Sequence, residues 1–223
     1  MKKKIFTSLA LLGSLIISAQ NPEGFLGSWT LIAGRHKIAE KWSIPTIAIL
    51  QYYRVYEDFQ FVLARTGISY DLSPQVQATV GYDYFHSEAF EGSAASGKDQ
   101  NRLFEELVLK NKYKNLGVSH RYRLESIWTS QNDENSLAHR VRYRLNLQYP
   151  LYKNLYATAF DEIFTILEKP YFNQNRLHLG FGYVFNPHYK MEIGYFRSNF
   201  STTSYNRVRV AIIFNTDLSK KTR

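Results

Sequence analysis

His139-Arg-Val-Arg-Tyr-Arg-Leu-Asn-Leu-Gln-Tyr149 alternates without a fault. Read as a strand, it places Arg140, Arg142, Arg144, Asn146 and Gln148 on one face. His139, Val141, Tyr143, Leu145, Leu147 and Tyr149 fall on the other. In a water-soluble sheet the apolar face turns inward and the arginines meet solvent. In a transmembrane barrel the order inverts, with apolar side chains toward lipid and guanidinium groups enclosed. The rest of the chain decides between the two.

The same alternation recurs on both sides of this stretch. Gly27–His36 and Trp42–Val55 are strand-like and joined by a charged turn through 37–41. Phe59–Tyr70 puts Phe61, Leu63, Arg65, Gly67 and Ser69 opposite Val62, Ala64, Ile68 and Tyr70. Val76–His86, Arg102–Tyr113, Leu116–Trp128, Asn154–Phe164, Gln174–Phe185, Lys190–Arg197 and Tyr205–Phe214 follow the same rule. Asp161, on an otherwise apolar face, is the one blemish in Asn154–Phe164. Short turns at 71–75, 114–116, 150–154 and 186–189 alternate with longer polar stretches at 87–101, 130–137, 166–173 and 198–204. Short turns on one rim and long loops on the other is the outer-membrane arrangement.

The chain begins Met1-Lys-Lys-Lys4, followed by an apolar run through Ile17 and then Ser18-Ala19-Gln20. A basic start, an apolar run of this length and a small residue at its end predict a signal peptide over 1–19, cleaved after Ala19. Residues 20–223 then form a single barrel domain. No later stretch approaches the roughly 20 apolar residues that a spanning helix needs. There is no cysteine, so disulfides cannot hold the domain together, whereas a closed hydrogen-bonded sheet can. The net charge is +9, and it stays basic once Lys2, Lys3 and Lys4 are removed. Secretion makes nucleic acid an unsuitable partner for that charge.

These readings predict an all-β, antiparallel, up-and-down transmembrane barrel in the outer membrane of a Gram-negative bacterium. Its expected partners are outer-membrane lipids and lipopolysaccharide. Ten strands run from Trp42 to Phe214, and a total of twelve is the alternative. Gly27–His36 would make eleven, against the even count usual in bacterial single-chain barrels. A soluble lipocalin-like barrel also alternates, but here arginine dominates the polar face while lysine gathers in turns and at the chain ends. Arginine suits enclosed ion pairs because its planar fork binds a carboxylate bidentately and stays charged. Trp42, Trp128, Tyr149, Tyr183, Phe185 and Phe214 fall near strand ends on the apolar face, where aromatic girdles belong.

Several short fragments, taken in order, carry a family resemblance: Gly27-Ser-Trp29, Lys41-Trp42, Arg54, Arg65-Thr-Gly-Ile-Ser-Tyr70, Gly81-Tyr-Asp-Tyr84, Arg121-Tyr-Arg-Leu-Glu125, Arg140-Val-Arg-Tyr-Arg144, Asp161-Glu-Ile-Phe164, Gln174-Asn-Arg176 and Gly194-Tyr195. The set resembles the bacterial domain-of-unknown-function 2490 family over nearly the whole mature chain. That resemblance implies an outer-membrane barrel and supplies no catalytic residues.

The polar face defines the candidate site: Arg65, Glu106, Arg121, Arg123, Glu125, Arg140, Arg142, Arg144, Glu162, Arg176, Arg207 and Arg209. Arginines outnumber acids, and Glu106 and Glu162 are the expected balance for the arginines around Glu125. One reading is a lumen plugged by a charged network, which gives the protein a structural role. Another is a narrow pore that favours small anions, and the loops offer a further surface for an extracellular ligand. A third reading, lipid hydrolysis at the rim, needs a serine beside a histidine. Ser119 and His120 are adjacent and so face opposite ways, which leaves His120 and His139 near Ser126, Ser130 or Ser136. The six histidines show no metal-ligand spacing, Gly92–Gly97 lacks the features of a phosphate loop, and no cofactor is implied. A monomer is expected.

Overall fold

The computed structural model describes residues 24–90 and 96–219. The signal segment expected at 1–19 lies outside the described residues. Among those described, eleven strands form one closed sheet: β1 (Leu26–Lys37), β2 (Trp42–Arg54), β3 (Glu57–Asp71), β4 (Val76–Ser87), β5 (Lys98–Tyr113), β6 (Leu116–Gln131), β7 (Glu134–Tyr152), β8 (Leu155–Ile166), β9 (Phe172–Asn186), β10 (Tyr189–Asn199) and β11 (Ser204–Asp217). Each strand pairs antiparallel with the next. The barrel closes by a parallel ladder between β1 and β11, in register from Leu26↔Asn206 to Lys37↔Asp217.

Eleven strands correct both the expected ten and the alternative twelve. The segment 27–36 is a full member of the sheet, paired with β2 on one side and β11 on the other. In an up-and-down chain with an odd number of strands, the first and last run the same way. Closure must then be parallel. The physical requirement is that no edge be left unpaired, and a parallel ladder meets it.

The connections need a second correction. Residues 130–137 are not a loop, because β6 and β7 pair as far as Gln131↔Glu134. Asn132 and Asp133 alone make the turn, both at positive φ (51° and 62°), as a two-residue hairpin demands. Likewise 166–173 contracts to 167–171, and 198–204 to 200–203. Residues 88–97 are the one long connection, of which 91–95 lie outside the described residues. We call the rim that carries them the loop rim and the opposite one the turn rim. The polar residues at the other three sites extend the ladders because their backbones pair as well as any.

Side chains alternate about the wall as the pattern requires. Ile68, Val80, Leu103, Tyr122, Val141, Leu179, Phe181 and Ile193 point outward and are exposed, whereas Arg65, Asp83, Arg123, Glu125, Glu162 and Arg207 are buried inside. Trp42, Trp128, Tyr149, Tyr183 and Phe185 stand exposed near strand ends. Asp161 faces outward, and the Nδ2 of Asn175 on β9 donates to both its carboxylate oxygens at 3.0 and 3.1 Å. Tyr84 similarly donates to Asp99 at 2.7 Å, and Tyr195 to Asn206 at 2.5 Å. These outward polar atoms are partnered within the wall.

Two inward glycines let aromatic rings lie flat against the wall. A Cβ on Gly81 would fall 2.4 Å from the Phe104 ring, and one on Gly182 would fall 2.1 Å from the Tyr156 ring. Each ring occupies the place that its neighbour's side chain would otherwise take.

Candidate functional site

The lumen is built by register. Where β6 and β7 pair, Arg121, Arg123 and Glu125 stand opposite Arg144, Arg142 and Arg140. Two of these three pairs are Arg–Arg and would repel, so the acids of the flanking strands decide the arrangement. On β8, Glu162 faces Arg144 and, on its other side, Arg176 of β9. On β5, Glu106 faces Arg123.

Glu125 is fully buried and holds two arginines. Its Oε2 accepts from Arg140 Nε at 2.8 Å and Nη2 at 2.5 Å, and its Oε1 from Arg142 Nη1 at 2.6 Å. Glu162 Oε1 accepts from Arg142 Nε at 2.9 Å and Nη2 at 2.7 Å, and from Arg121 Nη2. Arg144 Nε lies 3.7 Å from Glu162 Oε2. Glu106 accepts from Arg123, with Nε at 2.7 Å, and has Arg121 at 3.5 Å. On the far side, Arg65 grips Asp83 bidentately at 2.5 and 2.6 Å, and Arg123 Nη1 lies 3.9 Å from the same carboxylate. These residues form one connected set spanning β3 to β8.

Aromatic rings separate the guanidinium groups where carboxylates do not. Phe104 lies beneath Arg65 and Arg123, with guanidinium-to-centroid distances of 5.0 and 4.0 Å. Phe164 meets Arg140, Arg142 and Arg176 at 5.2, 4.2 and 4.6 Å. Ring faces carry negative potential, so they attract cations that have no further acid to turn to.

A second, smaller group lies toward the turn rim. Arg209 Nη1 donates to Glu192 Oε2 at 3.0 Å, and Tyr156 donates to Glu192 Oε1 at 2.9 Å. His178, also fully buried, lies beside Arg209 and meets the Tyr195 carbonyl through Nδ1 at 3.0 Å.

Arg176 and Arg207 are not joined to either group. Among the described residues no carboxylate lies within ion-pair reach of them or of Arg102. Arg176 Nε donates to Gln174 at 2.9 Å, Arg207 Nη2 to Gln60 at 2.7 Å, and Arg102 to Gln100. These three arginines, with Arg140, line a cavity of about 530 Å³. Its mouth is at the loop rim, beside Glu88, Ser96, Lys98 and Phe200. Its floor is the set around Glu162, Arg121 and Arg144. Its lining does not extend to Thr79, Tyr156 or Glu192. Arg54 sits at the loop rim with Asp58 at 3.0 Å and lies over the Phe25 ring at 4.5 Å.

The cavity also has an apolar lining, chiefly from β1, β2 and β3. Trp29, Ile49, Phe61, Leu63, Phe160 and Phe196 form one buried cluster, with Leu31, Ile47 and Phe85 against it. Alternation places Phe61 and Leu63 on the arginine face, whereas the inward positions of Trp29, Ile49, Phe160 and Phe196 were not expected from sequence. The signal was available, since Phe160 and Phe164 share the parity of Glu162, and Trp29 that of Gly27 and Leu31.

Of the serine–histidine arrangements considered, one is formed. Ser126 and His139 are directly opposed on β6 and β7, and Ser126 Oγ lies 3.1 Å from His139 Nδ1 on the outer face. His120 Nδ1 instead meets Tyr143 Oη at 2.9 Å. Among the described residues no carboxylate is hydrogen-bonded to His139, and no metal-binding group of His, Asp and Glu is present.

A search of curated proteins finds no match. Among solved structures, the chain is similar to one titled "NanC porin structure in rhombohedral crystal form". The match has a TM-score of 0.53 at 12% identity and covers 84% of this chain and 96% of that one. At that identity the likeness concerns fold, and it matches the closed barrel described above. A family model, "Protein of unknown function (DUF2490)", matches residues 26–209, from the first residue of β1 into β11. By this match over most of its length, the chain belongs to the DUF2490 family.

Proposed function

We propose that the protein is an outer-membrane barrel, barred to free flow by its ion-pair floor, that admits small anions from the loop rim into a cationic cavity. One observation carries the reading: Arg102, Arg176 and Arg207 line the cavity without carboxylates, above a floor where Glu125 and Glu162 are each shared between arginines. An exposed apolar belt with aromatic residues at the strand ends supports membrane insertion, since only closed barrels and helices satisfy their backbones in hydrocarbon. The outer wall also carries a concavity of about 490 Å³ lined by Leu147, Tyr149, Ala157, Ala159 and Phe181, a surface suited to acyl chains.

Planar-bilayer recording tests the reading. The wild-type protein passes no steady current, whereas Arg142→Ala combined with Glu162→Ala, which removes one cation and one anion from the floor, passes current that favours chloride over potassium. A steady wild-type conductance, or cation preference in the double variant, contradicts it.

The Ser126–His139 contact supports a second reading, lipid hydrolysis at the outer face. It is the weaker one. Among the described residues the histidine has no acid to orient it, and the neighbouring backbone N–H groups are engaged in the β6–β7 ladder, where they cannot form an oxyanion hole.

A further inference from the structure

We propose that the cavity takes an amphipathic anion, a ligand with one acidic head and an apolar body, in preference to a small inorganic ion. This deepens the anion-admitting reading above and rests on it. The two sides of the cavity differ in kind. One presents Arg102 and Arg176, whose hydrogen-bond acceptors are glutamine carbonyls and whose guanidinium groups otherwise lie over the rings of Phe85, Phe164 and Trp29. Neutral acceptors position a guanidinium without compensating its charge, so both retain capacity for an anionic oxygen. The other side presents Trp29, Ile49, Phe61 and Leu63.

An open anion passage gains nothing from such an apolar wall, because a hydrated ion has no favourable contact with it. An apolar body does, through removal of area from water on both surfaces. A volume of about 530 Å³ is also within the range of small-molecule sites.

Trp29 joins the two sides. Its indole is 5% exposed, its Nε1–H has no hydrogen-bond partner among the described residues, and Arg176 lies over its ring at 5.1 Å. A buried donor left unpaired is costly. A ligand oxygen beside Arg176 would relieve that cost while the ligand body packs against Ile49 and Leu63.

The test is calorimetric titration of the full chain in lipid nanodiscs, with empty nanodiscs as the blank. The probes are naphthalene-1-sulfonate, inorganic phosphate and neutral 1-naphthol. The sulfonate is expected to bind saturably, at least tenfold tighter than either of the others, and Arg176→Gln weakens it at least tenfold. Heat-modifiable migration in gels reports whether the variant folds, and Arg102→Gln replaces it if it does not. Phosphate binding as tightly as the sulfonate overturns this inference and leaves the anion-admitting reading intact. Naphthol binding as tightly, or indifference to the arginine variant, also overturns it. Absence of binding by both anions overturns the two readings together.

Discussion

Arg142 reaches diagonally to Glu162 on the neighbouring strand β8, donating through Nε at 2.9 Å and Nη2 at 2.7 Å, while its third nitrogen is taken by Glu125. Glu162 also serves Arg121 and Arg144, so its loss leaves several buried guanidinium groups short of countercharge. Breaking a buried pair by removing one partner costs about 3–5 kcal/mol. Glu162→Ala is therefore expected to lower the midpoint of urea unfolding in detergent or lipid by a corresponding amount. A loss below about 1 kcal/mol, the range of exposed pairs, would show that water reaches this floor freely.

Arg65 and Asp83 form a more self-contained bidentate pair between β3 and β4. Desolvation of both charges offsets most of what their attraction contributes, so replacing both with apolar residues of similar volume is often nearly neutral. Asp83→Leu alone is expected to destabilise strongly, and Arg65→Met added to it to recover most of the loss. Urea midpoints of the two single variants and the double variant provide the cycle. Additive losses would mean that Asp83 acts chiefly through Arg123, 3.9 Å away.

The limits of the sequence are clear in these same residues. Strict alternation identifies Arg121, Arg123 and Glu125, and separately Arg140, Arg142 and Arg144, as same-face sets, because a strand has period two wherever it pairs. Pairing register is not periodic in sequence, so the sharing of Glu162 among Arg121, Arg142 and Arg144 could not be read. Nor could the isolation of Arg176 and Arg207, which depends on what their neighbours across the barrel happen to be. Strand count failed for another reason. Gly27–His36 reads correctly as a strand, but parity argued against it, and only the parallel ladder to β11 shows how an odd number closes.

That ladder can be tested directly. Ile32 and Ile212 are register partners on the outer face of β1 and β11. Adjacent strands lie about 4.8 Å apart, within the span a disulfide tolerates. Ile32→Cys with Ile212→Cys is expected to crosslink on mild oxidation and to migrate as a circularised species on denaturing gels. Ile32→Cys with Phe214→Cys, displaced by two residues, is expected to crosslink poorly. The reverse preference would place β1 in another register.

Gly182 is expected to be intolerant of substitution because of its neighbour. The Tyr156 ring fills the position of a Cβ at Gly182, and its hydroxyl donates to Glu192. Gly182→Ala pushes the ring away and takes that donor from a buried carboxylate. Forcing atoms into a filled site costs typically 1–3 kcal/mol. Restoring space with Tyr156→Phe in the same chain would relieve little, because the ring itself still clashes. Tyr156→Ala would relieve the clash but forfeit the hydrogen bond. Unfolding midpoints of the three variants separate crowding from the lost donor.

Ser126 and His139 present the outer face with a hydroxyl and an imidazole 3.1 Å apart. Proximity supplies a base but not the rest of a hydrolase. Developing negative charge on a tetrahedral oxygen needs preorganised donors, whose removal alone costs known enzymes about 100- to 1,000-fold in rate. The nearest backbone N–H groups are committed to sheet bonds, and the hydroxyl–imidazole contact instead satisfies two polar side chains on the outer face. Purified protein in phospholipid or lipopolysaccharide vesicles is accordingly expected to release no fatty acid, with Ser126→Ala indistinguishable from wild type by mass spectrometry of the lipid. Ser126→Ala leaves His139 without its partner on the outer face and should lower stability modestly. Fatty-acid release by the wild type that disappears in both Ser126→Ala and His139→Ala would establish the hydrolase reading instead.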